Sequence, residues 1–369
     1  MKTVCQQDMC AGCKACIDIC PKSAIDIKDE ISAYNAIIDE EKCINCNACH
    51  KVCPNVNPSF FLKTMEYKQG WANDILVRKE SSSGGIATAL MIDFINNGGL
   101  VCSCCFVNGK FGFKLVKEIK ELKGIKGSKY IKSDPKGIYS VVKKELINNN
   151  KVLFIALPCQ IAAMKNYVGK KYSENLFTVD LICHGSPSPQ LLEYFFNESD
   201  IKIDELEDIA FRKKDNFGLY KLNKNDEYYS KITSDSIQDL YIHSFLNCMG
   251  FTENCYRCQY ARKERVSDIT IGDSWGSTLS EQERKKGISL ILCQTTKGIE
   301  LINRANIHTE DVDVEKAIAC NKQLSCPSIK PNTREKFIKE VKKSNNFHKA
   351  MFKADPIFFV KHIIKKLIK

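Results

Sequence analysis

The sequence predicts a small α+β module followed by a larger α/β domain. Three observations carry this expectation. Cysteines crowd residues 1–60. Polar and turn-forming residues fill 55–70 and read as a connector. From Trp71 onward, apolar β-branched runs alternate with helix patterns. The divisions expected are 1–60, 61–330 and a basic tail, 331–369. A chain of 369 residues has length for two or three such units and a large core.

Twenty cysteines are unusual for a long chain that is otherwise ordinary, with 44% hydrophobic and 27% charged residues. The stretch Met1–Cys5 has no apolar leader region, and no apolar run approaches the ~20 residues of a spanning helix. The expected setting is a reducing cytoplasm, where thiols bind metals or do redox work. The net charge of +11 is concentrated at the end, with twelve Lys or Arg against three acids from Lys330 to Lys369. The remainder is nearly neutral, which argues against a nucleic-acid binder.

Residues 10–21 read CAGCKACIDICP and residues 43–54 read CINCNACHKVCP. Both are C-x2-C-x2-C-x3-C-P, and they resemble the bacterial two-cluster ferredoxins. The N-terminal module is therefore expected to be ferredoxin-like, with two [4Fe-4S] clusters. Three thiolates spaced by two residues wrap one cubane, and the fourth, before proline, ligates the other. One cluster then takes Cys10, Cys13, Cys16 and Cys53; the other takes Cys43, Cys46, Cys49 and Cys20. Structural zinc sites show two separated C-x2-C pairs, which this is not. Short apolar stretches, 24–27 and 36–38, are expected as strands beside the clusters, and Cys5 is a spare thiol.

In the larger part, Ser81–Ser83 with Gly84 and Gly85 precede a helix carrying Ile86, Leu90 and Phe94 on one face. The serines read either as helix caps or, with the glycines, as an anion-binding helix start. A strand over 100–107 carries Cys102, Cys104 and Cys105, read as buried thiols. Two units share one build: strand 152–156, then Pro158-Cys159 and a helix; strand 178–182, then Cys183-His184 and a helix capped by Ser188. Loops at the carboxyl ends of such strands form ligand crevices. Cys159 and Cys183 are thus expected to share one. The pair Cys255 and Cys258 completes a third cluster, or forms a local zinc or redox pair of its own.

Several segments in order resemble the beta subunits of coenzyme F-420-reducing hydrogenases and dehydrogenases: KESSSGGIATAL, GSKYIKS, ALPCQIAAM, DLICHGSPSP, FRKKDNFG, and C-x2-C followed by SDITIGDSWG. The resemblance spans roughly residues 71–300. It implies FAD and a third [4Fe-4S] cluster held by Cys159, Cys183, Cys255 and Cys258. It also implies flavin contacts at Ser83, Gly84, Gly85 and Thr88, at Lys129 and Tyr130 (otherwise a surface turn), and at Asp273 and Trp275 (the indole otherwise core). Arg212, Lys213 and Lys214 read as phosphate contacts or a solvated turn, and His184 as a loop histidine.

The function expected is an iron–sulfur flavoprotein oxidoreductase. Electrons would enter from a soluble donor or partner oxidoreductase and pass through the third cluster to FAD. They would leave to an organic acceptor, deazaflavin-like or another small molecule, in some relatives in polysaccharide biosynthesis. The alternative is an electron-transfer subunit that docks onto a partner enzyme and has no substrate of its own. A cluster-based sensor is weaker, because no recognition helix is evident. The segment 357–369 reads as a basic amphipathic helix. It would either pack on the domain through its apolar face or make peripheral contact with an anionic membrane.

Overall fold

The computed structural model describes residues 2–199, 201–233 and 239–367; Lys369 of the tail lies outside them. The N-terminal segment forms an antiparallel ribbon, β1 (Ile25–Asp29) and β2 (Tyr34–Ile38), with Ile25 opposite Ile38. Single-turn helices Ala15–Ile19 and Ala48–Val52 lie within the two cysteine motifs. Each is entered through a left-handed residue, Lys14 and Asn47, both at φ 58°. The sequence repeat is thus also a backbone repeat.

Eight strands form one mixed sheet. In chain order they are β3 (Glu66–Ala72), β4 (Leu100–Val107), β5 (Lys110–Val116), β6 (Val152–Ala156) and β7 (Leu176–Leu181). A separate antiparallel sheet follows, of β8 (Leu206–Lys213), β9 (Asn216–Asn223) and β10 (Ser230–Lys231). The large sheet is completed by β11 (Ile269–Asp273), β12 (Ser289–Cys293) and β13 (Ile307–Asp311), in the order β13-β3-β12-β11-β7-β6-β4-β5. Its centre, β4, β6, β7 and β11, is parallel. Every residue of β6 is buried, the pattern of a strand covered on both faces. The parallel strands end together, so the loops that follow them meet in one place.

Three sequence expectations change. The connector is shorter than 55–70, because β3 begins at Glu66. Glu66, Tyr67 and Lys68 are half-buried near the sheet's antiparallel edge, so their polarity hid a strand. Ser81–Ser83 do not cap the helix Ile86–Asn96; Gly85 does, at φ 87°, with no side-chain cap. The stretch expected as a basic tail sends one face of two helices into the core. Helices Thr333–Ser344 and Phe347–Ala354 bury Phe337, Val341, Phe347 and Met351 in one cluster with Phe195, Phe211 and Tyr241.

Only the helix Pro356–Leu367 lies at the surface, and not as its apolar pattern suggested. Phe358 stacks on His243 with ring centres 3.4 Å apart, and His362 is buried. Ile357, Val360 and Ile364 stay exposed. No helix among the described residues is long and apolar enough to cross a membrane.

Candidate functional site

The loop after β6 turns at Pro158, which opens the helix Pro158–Val168 with Cys159 beside it. The loop after the neighbouring parallel strand β7 carries Cys183. A short helical turn, Glu253–Arg257, supplies Cys255, and Cys258 follows it directly. These four cysteines line one cavity of about 230 Å³. The Thr252 hydroxyl lies 3.6 Å from the Cys255 sulfur.

Burial pushes the Cys159 thiol up to about 12 and that of Cys258 to about 11, and raises Cys183 further. Without metal these groups are protonated at neutral pH, so iron must displace protons to bind. Among the described residues, no three His, Cys, Asp or Glu side chains converge where a single ion would sit. A cubane does not require that. It takes one thiolate per iron, so its ligands stand around a volume. Cys159, Cys183, Cys255 and Cys258, walling a cavity that Cys5 also lines, fit that donor set.

The N-terminal cysteines fall in two places. Cys10, Cys13, Cys16 and Cys53 are all buried and lie within reach of one another's charge. Cys20, Cys43, Cys46 and Cys49 line a second hollow, nearer the surface, with Cys46 exposed. Backbone N–H groups of Gly12, Ala24 and Asn45 point at the sulfurs of Cys10, Cys20 and Cys43, at 3.4, 3.3 and 3.4 Å. Cys16 and Cys49 connect the two groups. Cys5 is buried, and its interaction with Cys10 and Cys53 lowers both of their thiols.

A larger cavity of about 470 Å³ opens at the carboxyl ends of β4, β6, β7 and β11, within the range of small-molecule sites. Ser83, Gly85, Thr88, Lys129, Tyr130, Asp273 and Trp275 all line it. Gly84 does not. It sits against β3 and β12, where a Cβ would meet the Gly70 carbonyl oxygen at 2.5 Å and the Ser289 nitrogen at 2.8 Å. Gly84→Ala is expected to cost about 1–3 kcal/mol, read as a lower urea midpoint, because both obstacles are backbone atoms.

Lys129 turns its ammonium onto carbonyls of its own loop, Ile125, Lys126 and Gly127. Tyr130 stacks on Phe245 with centres 4.3 Å apart. Trp275 is 37% exposed, so it is a cavity wall and not core. Arg212 is buried and grips Asp273 through two bonds of 2.5 and 3.0 Å. This corrects the solvated-turn reading of Arg212.

The two cavities share a wall, Leu157 and Cys183–Ser186. Within it the Ser186 hydroxyl is 3% exposed as a residue and has no hydrogen-bond partner. A buried orphan hydroxyl between two cavities fits a bound group with polar atoms.

Residues 149–317 match the family model for the C terminus of the coenzyme F420 hydrogenase/dehydrogenase beta subunit, and residues 9–57 match that of the 4Fe-4S dicluster domain. The chain thus carries one segment similar to the beta subunit's C-terminal part and another similar to a 4Fe-4S dicluster domain. No curated protein sequence matches it. Among solved structures, a chain of the F420-reducing [NiFe] hydrogenase complex from Methanosarcina barkeri, studied by xenon derivatization, is similar. It is 18% identical, covers 71% of this chain and 91% of that one, and has a TM-score of 0.47.

Among the side chains that tie the N-terminal segment to the rest of the chain are three whose role in doing so the sequence did not show. Tyr139 donates to the Cys13 carbonyl at 2.6 Å, Tyr260 to that of Pro54 at 2.8 Å, and Lys132 to that of Ala11 at 3.1 Å. Cys104, whose role the sequence left open, lines the larger cavity.

Proposed function

We propose that this chain is an iron–sulfur flavoprotein oxidoreductase that relays electrons from a protein donor to a small organic acceptor. The supporting observation is the wall shared by the four-thiol cavity and the larger cavity, with Cys183 in both linings. In this reading the ferredoxin-like module holds two [4Fe-4S] clusters on the two cysteine sets. Cys159, Cys183, Cys255 and Cys258 hold a third, and the larger cavity holds FAD. When bound, the clusters carry single electrons and the flavin pairs them for two-electron chemistry.

The chain's own residues set the order. Cys46 is exposed, which suits entry from a docked partner oxidoreductase. Cys10, Cys13, Cys16 and Cys53 are buried; Cys16 lies near enough to Cys49 to feel its charge, and Tyr260 stands near Cys13, Cys53, Cys159 and Cys258 alike. The N–H groups at the start of the helix Ile86–Asn96 lie at the larger cavity, an end suited to a diphosphate. Tyr130 and Trp275 offer flat faces for a ring system. An acceptor such as a deazaflavin, or an intermediate of polysaccharide biosynthesis, would reach the flavin from the same cavity.

The docking-subunit alternative requires the flavin edge to be closed except toward a protein. A cavity of about 470 Å³ with the partly exposed Trp275 on its wall favours the enzyme. The test is flavin reduction by a small-molecule hydride donor in the isolated chain. Reduction supports the enzyme; failure with bound FAD supports the docking subunit.

We also propose that the helix Pro356–Leu367 rests on an anionic bilayer. Ile357, Val360 and Ile364, at i, i+3 and i+7, are exposed beside exposed Lys361 and Lys365. The full chain should sediment with phosphatidylglycerol vesicles and not with phosphatidylcholine ones. Replacing the three apolar residues by Asn should abolish this. Equal partition of the two proteins would overturn the idea.

A further inference from the structure

Lys132 is 5% exposed, yet it carries an ammonium with a single hydrogen bond, to the Ala11 carbonyl at 3.1 Å. No ion pair with a carboxylate engages it among the described residues. An isolated buried cation is costly, and it persists when anionic groups surround it. The groups around this one are thiols and the ring of Tyr34, whose centre lies 5.4 Å from the ammonium. Lys132 lines the four-thiol cavity with Cys159, Cys183 and Cys255, and it is near enough to Cys10 to feel its charge as well. The passage is built for it. Gly12, at φ 69°, lacks the Cβ that would stand 2.8 Å from the lysine's Cδ.

We infer that Lys132 is a positioning residue that places one fixed positive charge between the first cysteine set and the four-thiol set and sets the reduction potential of both. This rests on the three-cluster reading above. Reduction adds a negative charge to a cluster. A cation held nearby in a low-dielectric interior stabilises the reduced form more than the oxidised one, and so raises the potential. One ammonium facing both sets raises both. It keeps the electron's two neighbouring stations close in energy, so that neither becomes a trap.

The experiment is an anaerobic redox titration, followed by electron paramagnetic resonance, of the iron-loaded full chain. The wild type is compared with Lys132→Met, Lys132→Gln and Lys132→Arg, with iron counted in each. In the Met and Gln variants two of the three cluster potentials should fall. Each shift should reach at least tenfold in the reduction equilibrium, about 59 mV for one electron. The third potential should stay, and Arg should restore the wild-type values. Gln covers the case in which Met loses iron, because its amide can still reach the Ala11 carbonyl.

A lysine that merely clamps the two domains would leave the potentials unmoved in the iron-replete Gln variant, and that result overturns the inference. Only eight irons per chain in the wild type would instead overturn the three-cluster reading beneath it.

Discussion

Replacing Cys183 with serine is expected to cut the iron of the anaerobically reconstituted protein from about twelve to about eight per chain, four per lost cubane. Acid-labile sulfide should fall in parallel. The physical reason is the placement of this thiol. It lines the smaller cavity with Cys159, Cys255, Cys258 and Cys5, and it is the one cysteine in both cavity walls. Removing it leaves the proposed cluster with three of its four ligands. Cys255→Ser should give the same count.

The N-terminal sets should be untouched, because Cys10, Cys13, Cys16 and Cys53 share no ligand with the four-thiol group. The wild type should also retain about one FAD, and the Cys183 variant should reduce it slowly from a protein donor while still binding it. If the wild type carries eight irons and no flavin, only the dicluster domain remains and the docking-subunit reading takes over.

The second large effect concerns Arg265 and Asp180. Their side chains are 1% and 0% exposed and meet at 3.0 Å. Arg265 also donates to the carbonyls of Tyr260 at 2.8 Å and Leu181 at 3.2 Å. It therefore pins the Cys258 segment to the end of β7, next to Cys183. The second carboxylate oxygen of Asp180 has no partner in the protein. Arg265→Met would strand that charge in the interior, at a cost of about 3–5 kcal/mol.

The expected results are a lower urea midpoint and loss of iron from the four-thiol site alone. The double change Arg265→Met with Asp180→Leu should recover much of the stability, because no charge is then left buried. It should not recover the iron, because the Tyr260 and Leu181 carbonyls still lose their donor. A single variant within about 1 kcal/mol of wild type would show that the pair is not what holds this segment.

The legibility of these features in the sequence follows from their range. The two cysteine motifs are local, and their spacing alone divides eight thiols into two sets. The units at 152–164 and 176–189 were readable because an apolar strand and a proline-opened helix start are local signals. The four-thiol cavity was only half readable. Its ligands come from three separate loops, and nothing in their spacing says that β6 and β7 are neighbours. For Arg212 the sequence left a solvated turn open because charge suggests solvent, whereas burial here is balanced by Asp273, sixty-one residues away. Lys132 and Tyr260 left no trace at all, since each works through a backbone carbonyl of a remote segment. β3 was missed because near a sheet edge polar side chains are tolerated.

The contacts that hold the dicluster domain in place also impose an order on biogenesis. Its first fifty-seven residues leave the ribosome well before Tyr139, and long before Tyr260, has been made. While translation continues, those early thiols have no wall against solvent on that side. The four-thiol site can be completed only once Cys258 has emerged. In the three-cluster reading, loading of metal is therefore staged by chain growth.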